Sequence, residues 1–177
     1  REIGSMIFSI GGDFDLAMSL EVAEHLSPEY AKSFTEYLCS LAPVVLFGAA
    51  VPGQGGHMHI NEQWPHYWVD LFKKQGYYPI DLIRWQVWNN DKVLPWYAQN
   101  TLLFVKDVKL TEVQCKISDN TYANIEIFPV VHPRQFERTL TSLTSELSNK
   151  CEREAMVDLF LALRRRAKKI IRKILRK

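Results

Sequence analysis

A chain of 177 residues, 47% apolar and 24% charged, has the length and composition of one domain with a sizeable core. It holds no apolar run long enough to span a bilayer, and its first residues do not read as a secretory signal. The formal charge of +2 hides two unlike parts: the last fourteen residues carry nine Lys or Arg and no acid, while residues 1–163 carry 13 basic against 20 acidic side chains, a net of −7, which argues against a general nucleic-acid-binding surface and gives the tail a task of its own.

In chain order, residues 1–12 are too short and irregular to form a unit and read as the end of something that begins upstream. Asp15 to Ser19 is a short apolar strand. Ser27-Pro28-Glu29 opens a helix: Ser can cap it, Pro suits the first turn, and Glu favours the positive helix end. Ala31, Phe34, Leu38 and Leu41 then recur at helical steps, and Pro43 stops the run. Val44 to Phe47 are all apolar, as for a strand covered on both faces. Pro52, Gly53, Gly55 and Gly56 make a loop. A second helix over about 65–75 buries Trp68, Leu71 and Phe72, and Gly76 is placed for a left-handed cap.

"YYPIDLIRWQVW" and "NTLLFVKD" read as two further strand candidates, with "NND" and "LPWYAQ" between them as the long connection of an antiparallel pair. "NIEIFPVV" is a further strand candidate, and a helix follows from about Pro133, interrupted near Ser148-Asn149. Met156, Phe160, Leu163, Ala167, Ile170 and Ile174 form the apolar stripe of a last helix with a cationic opposite face. Cys39, Cys115 and Cys151 are odd in number and widely spaced, which fits neither a disulfide framework nor a zinc site and points to a reducing, cytoplasmic setting.

Strands alternating with helices imply an α/β fold with a parallel sheet, and ligands of such sheets bind beyond the carboxyl ends of the strands. Two chemistry-bearing segments fall there: Glu21–His25 after the first strand and Pro52–Glu62 after the second. They are expected to meet at one rim.

The segments "FDLAMSLEVAEHL", "APVVLFGAAVPG", "WPHYWVDLFKKQGY" and "NTLLFVKD", in that order, resemble the fourth strand, fifth strand, following helix and final strand of a class I S-adenosylmethionine-dependent methyltransferase. "GQGGHMHINEQWPHYW" is similar to a loop of small bacterial methyltransferases. The resemblance covers residues 13–107. It implies a Rossmann-like sheet lacking its first three strands, with a helical C-terminal extension. The glycine-rich turn that holds the cofactor's amino-acid end, and the acid that holds its ribose, have no counterpart in residues 1–177. The division implied is a partial methyltransferase domain over 1–107, an extension over 108–150 and a basic amphipathic helix over 151–177. In that fold the fourth strand lies beside the first. Here it is therefore an edge, open to a partner chain or a second copy.

Glu21, Glu24 and His25 stand at i, i+3 and i+4, so a helical turn would project all three to one side. With His59, or His57, from across the rim they form a candidate site for Mg or Mn. The pattern Glu-x-x-Glu-His resembles the magnesium site of small-RNA 2′-O-methyltransferases and of ubiquinone-pathway O-methyltransferases. A metal there would lower the pKa of an acceptor hydroxyl. The alternative is metal-free: Glu21 accepts a backbone hydrogen bond, Glu24 faces water, and His25 packs by the cofactor pocket or acts as general base. The catalytic candidates are His25 and Glu24, and the resemblance places Ser19, Leu20 and Glu21 on the cofactor side. Trp64, Tyr67 and Trp68 either shape a substrate lid or, for Trp68 above all, belong to the core. His66 and His132 read as surface or capping residues.

The function this implies is methyl transfer from S-adenosylmethionine to oxygen of a small molecule, sugar or lipid-linked glycan. Two other readings stay open: a non-catalytic, degenerate scaffold that docks a partner at the open edge, and a metal-dependent RNA 2′-O-methyltransferase. The terminal helix has three candidate partners: its own domain or a dimer mate, an anionic membrane surface, and, ranked below both, nucleic acid.

Overall fold

The computed structural model describes residues 14–116, 127–150 and 153–154. Strand β1 (Ala17–Leu20) is followed by two 3-10 turns, Ala23–His25 and Pro28–Tyr30, and by helix α1 (Ala31–Leu41). Then come β2 (Val44–Gly48), α2 (Pro65–Lys73), β3 (Tyr77–Ile80), α3 (Ile83–Val87), α4 (Pro95–Asn100), β4 (Leu102–Lys106) and α5 (Asp107–Lys116). The four strands form one mixed sheet in the order β1-β2-β4-β3. β1 runs parallel to β2, with Ala17 opposite Val45 and Ser19 opposite Phe47. β4 lies antiparallel between β2 and β3. The α/β expectation and the parallel first pair hold.

The chain divides into two compact units, Arg1–Phe136 and Glu137–Lys177. In the second, residues 137–150 and 153–154 are helical, without the interruption expected near Ser148-Asn149. The stripe from Met156 to Ile174 and residues 1–13 lie outside the described residues. Among the described residues no helix is long and apolar enough to cross a membrane.

In the first unit, one face of the sheet presents Ala17, Val45, Phe47, Leu102, Phe104 and Tyr77, and α1 and α2 lay Ala31, Leu38, Trp68, Val69 and Phe72 on it. Phe72 and Phe104 stack with ring centroids 3.9 Å apart, and Phe47 meets Trp68 and Phe72 at 5.1 and 5.2 Å. The Tyr77 hydroxyl reaches the carbonyls of Cys39 and Ala42 at 2.7 and 2.8 Å, satisfying the carboxyl end of α1 from β3. Burial pushes its pKa up to about 12.

On the other face Val105 and Ile80 are buried, Val44 and Leu46 are half-buried, and Met18 is 64% exposed. β2 is therefore covered on both faces only in part, because the cover thins toward β1. Phe14 and Leu16, just before β1, are exposed as well. Among the described residues β1 is an edge strand.

Three local expectations are corrected. Ser27 makes no side-chain cap, and a 3-10 turn leads into α1 instead. Only the first third of "YYPIDLIRWQVW" is a strand. Asp81, just before α3, binds Arg84 through both carboxylate oxygens and also accepts from the Trp85 indole, contacts that the first helical turn brings within reach. Within "NIEIFPVV", residues 127–131 are not extended into a sheet, and the carbonyl of Phe128 instead accepts from buried Arg84. Phe72→Ala, at the centre of the aromatic layer, is expected to cost about 3–5 kcal/mol, measured by urea denaturation.

Candidate functional site

Both parallel strands end at the same rim, and the two loops that follow them carry the polar groups. After Leu20 the ladder continues for one more bond, Glu21 N–H to Gly48 O at 2.9 Å. Glu21 then turns the chain with φ 53, a left-handed value uncommon for a residue with a side chain. The turn Ala23–His25 follows, and the Glu24 carbonyl accepts the N–H groups of both Ile60 and Asn61, at 2.9 and 3.0 Å. That pair of bonds brings the second loop onto the first. Met58, beside it, is also left-handed at φ 62. Two such residues close together mark a site whose backbone is over-determined by its surroundings.

Ligand atoms of Glu24, His25 and His59 lie within 4.8 Å of one another. His59 Nε2 stands 3.9 Å from Glu24 Oε1, and the two imidazoles meet edge to face at 4.9 Å. Glu24 is fully buried, which overturns the expectation that it faces water, and neither carboxylate oxygen has a hydrogen-bond partner from another residue. Burial holds its pKa above the ordinary carboxylate value and Glu21 adds to this, while its own backbone N–H, His59 and His25 pull the other way. An unpartnered buried carboxylate is expensive unless something positive joins it.

The imidazoles are oriented for that. His25 Nδ1 lies 3.2 Å from the Met58 carbonyl, and His59 Nδ1 lies 2.9 Å from Glu62 Oε1. Both partners are acceptors, so each Nδ1 donates its hydrogen, and in a neutral ring Nε2 then keeps its lone pair. Histidines that hold metals are set in this way. One carboxylate and two imidazoles could hold a divalent first-row ion with coordination positions left over, and the share of nitrogen suits Mn, Fe or Zn better than Mg.

Glu21 stands outside this trio. Its carboxylate oxygens accept from Asn100 Nδ2 at 2.9 Å and Gln54 Nε2 at 2.7 Å. The expected four-residue set is thus three, because the left-handed backbone at Glu21 breaks the helical spacing that would have aligned it. Ser19 is buried with an unpartnered hydroxyl, and Leu20 is half-buried beside Gly48. His57 is exposed on a turn and does not join His59. Trp68 is core, with Tyr67 against it. His66 is exposed, whereas His132 is buried as a cap, its Nδ1 accepting the Arg134 N–H and its Nε2 donating to the Trp88 carbonyl.

Four residues of the rim are not singled out as candidates by the sequence: Gln54 and Glu62, which lie in the Pro52–Glu62 segment, and Gln99 and Asn100. Only Glu62 had a local signal, a carboxylate three positions beyond His59. Compared with known proteins, the chain matches no family model, no curated protein and no solved structure.

The raised pKa gives a signed pH effect. The folded protein binds the Glu24 proton more tightly than the unfolded chain does. The stability this supplies is complete below the ordinary value of 4.5 and is lost as pH rises through the folded value. Glu24→Gln is therefore expected to flatten the pH dependence of the denaturation midpoint of the metal-free protein and to raise the midpoint on the alkaline side of that dependence, while abolishing Mn2+ binding measured by calorimetry.

Proposed function

We propose that this chain carries the acceptor-side half of a metal-assisted, S-adenosylmethionine-dependent O-methyltransferase site. The observation that carries the reading is the unpartnered, buried Glu24 carboxylate facing two imidazoles at the carboxyl end of a parallel strand pair. The sheet order also supports it: β4 runs antiparallel between β2 and β3, the place a class I methyltransferase gives its last strand.

Glu24, His25 and His59 would hold the ion, which lowers the pKa of an acceptor hydroxyl. With the ion bound, His25 Nε2 would be one of its ligands, and the proton that the hydroxyl gives up would pass to solvent on the exposed side of His25. His25 is the base only in the metal-free arrangement. Ser19, Leu20 and Glu21, at the end of β1, would face the cofactor. Glu21, fixed by two amides, holds the backbone there in one conformation. The methyl donor is S-adenosylmethionine, and the acceptor class is a hydroxyl on a small molecule, sugar or lipid-linked glycan. Calorimetry with S-adenosylhomocysteine in the presence of Mn2+ is expected to give micromolar binding, and chelation is expected to abolish methyl transfer. No binding at millimolar ligand would overturn the reading.

A second reading, docking of another chain along β1, has its own observation. Met18 is exposed on an edge strand that has no neighbour on one side among the described residues, and Phe14 and Leu16 are exposed just before it. Met18→Lys is expected to reduce concentration-dependent association in sedimentation velocity and to leave the thermal midpoint nearly unchanged.

A further inference from the structure

We infer that Glu62 is the positioning residue of this site, and that the glycines of the second loop serve the His59 ring through it. The inference rests on Glu24, His25 and His59 being a cation site. One Glu62 oxygen, Oε1, accepts from His59 Nδ1 at 2.9 Å and from the Gly55 N–H at 3.2 Å. The other, Oε2, accepts from the Gly53 N–H at 2.8 Å. A single carboxylate thus fastens the loop and the ring together.

The glycines do this in two different ways. Gly53 and Gly55 have φ +80 and +73, and a Cβ on either would meet nothing within 4 Å. Their requirement is conformational: the left-handed backbone turns two N–H groups toward one acceptor. Gly56 has no such φ, but a Cβ there would fall 2.3 Å from Cε1 and Nε2 of His59. Its requirement is space for the imidazole. The ring is bounded by Gly56 and by His25, and held by Glu62 at Nδ1. Nε2 is left facing Glu24.

Without the Glu62 acceptor nothing would keep the hydrogen on Nδ1. A hydrogen on Nε2 would point at Glu24 and occupy the position a cation needs. Carboxylates that orient a metal-binding histidine are worth about 10–100-fold in metal affinity.

The test uses the whole chain and two readouts. In the first, Mn2+ is titrated and the free ion followed by electron paramagnetic resonance. Glu62→Ala and Gly56→Ala are each expected to weaken binding by about 10–100-fold. Glu62→Gln, which keeps an acceptor oxygen, is expected to recover part of the loss. In the second, nitrogen-15 spectra of the metal-free protein report which ring nitrogen of His59 carries the hydrogen. Nδ1–H in the wild type and a shift toward Nε2–H in Glu62→Ala support the inference. Circular dichroism identifies any variant that does not fold, and the wild-type tautomer and the Glu62→Gln titration then decide. Wild-type affinity in Glu62→Ala, or Nε2–H in the wild type, would overturn it. Should the wild type take no Mn2+, the cation reading fails by itself, and the tautomer comparison still supports or overturns the placement of His59 by Glu62.

Discussion

The main-chain oxygen of Glu24 accepts two N–H groups from residues 60 and 61, and the geometry of the rim depends on this clip. It joins loops that leave two different strands. It holds the backbone of the 3-10 turn, so the Glu24 side chain is carried inward without freedom to reach solvent. It also sets Met58 where its carbonyl meets His25, and His59 where its ring meets Glu24. The parallel pairing of β1 with β2 is the condition for the clip, because only strands that end at the same level deliver both loops to one place.

The rim gives up stability for this arrangement. Glu21 and Met58 adopt left-handed backbone, a conformation that costs about 1–3 kcal/mol at residues with side chains. The Glu24 carboxylate is buried without a hydrogen-bond partner from another residue. Against these stands the aromatic layer of Phe47, Trp68, Phe72 and Phe104 directly beneath β2 and β4. Rigidity is added by a buried amide network. Asn100 Nδ2 reaches both Glu21 and Gln54, Gln99 Nε2 reaches Asn100, and Gln99 Oε1 accepts from the His132 N–H. Gln135 Nε2 donates to the Gln54 carbonyl. The segment around His132 is thereby tied to the loop after β2 and to the end of α4, so residues far beyond β4 in sequence help hold the loop on which His59 sits.

Local patterns carried much of the fold. The apolar run Val44–Phe47, the helical steps from Ala31 to Leu41, Pro65 at a helix start and Gly76 at its end each act over a few residues, and each is found where its own chemistry puts it. Failures came where a side-chain contact outweighed local preference. "YYPIDLIRW" is rich in strand-forming residues, yet Asp81 pairs with Arg84 across the start of a helix.

The sequence by itself determined the inventory of the site: Glu24, His25 and His59, an adjacent glycine loop, and strand ends as their place. These follow from residue type and from the periodicity of the chain around them. Tertiary structure alone decided which members converge. Glu21 leaves the group because a left-handed φ, invisible in a spacing rule, redirects it toward Gln54 and Asn100. The burial of Glu24 and the Nδ1 contacts of both imidazoles were likewise settled by partners such as Asn61, Met58 and Glu62, which come from another loop. The physical reason is that a hydrogen bond or a burial cost belongs to a pair of groups, and the second member of each pair is brought near only by folding.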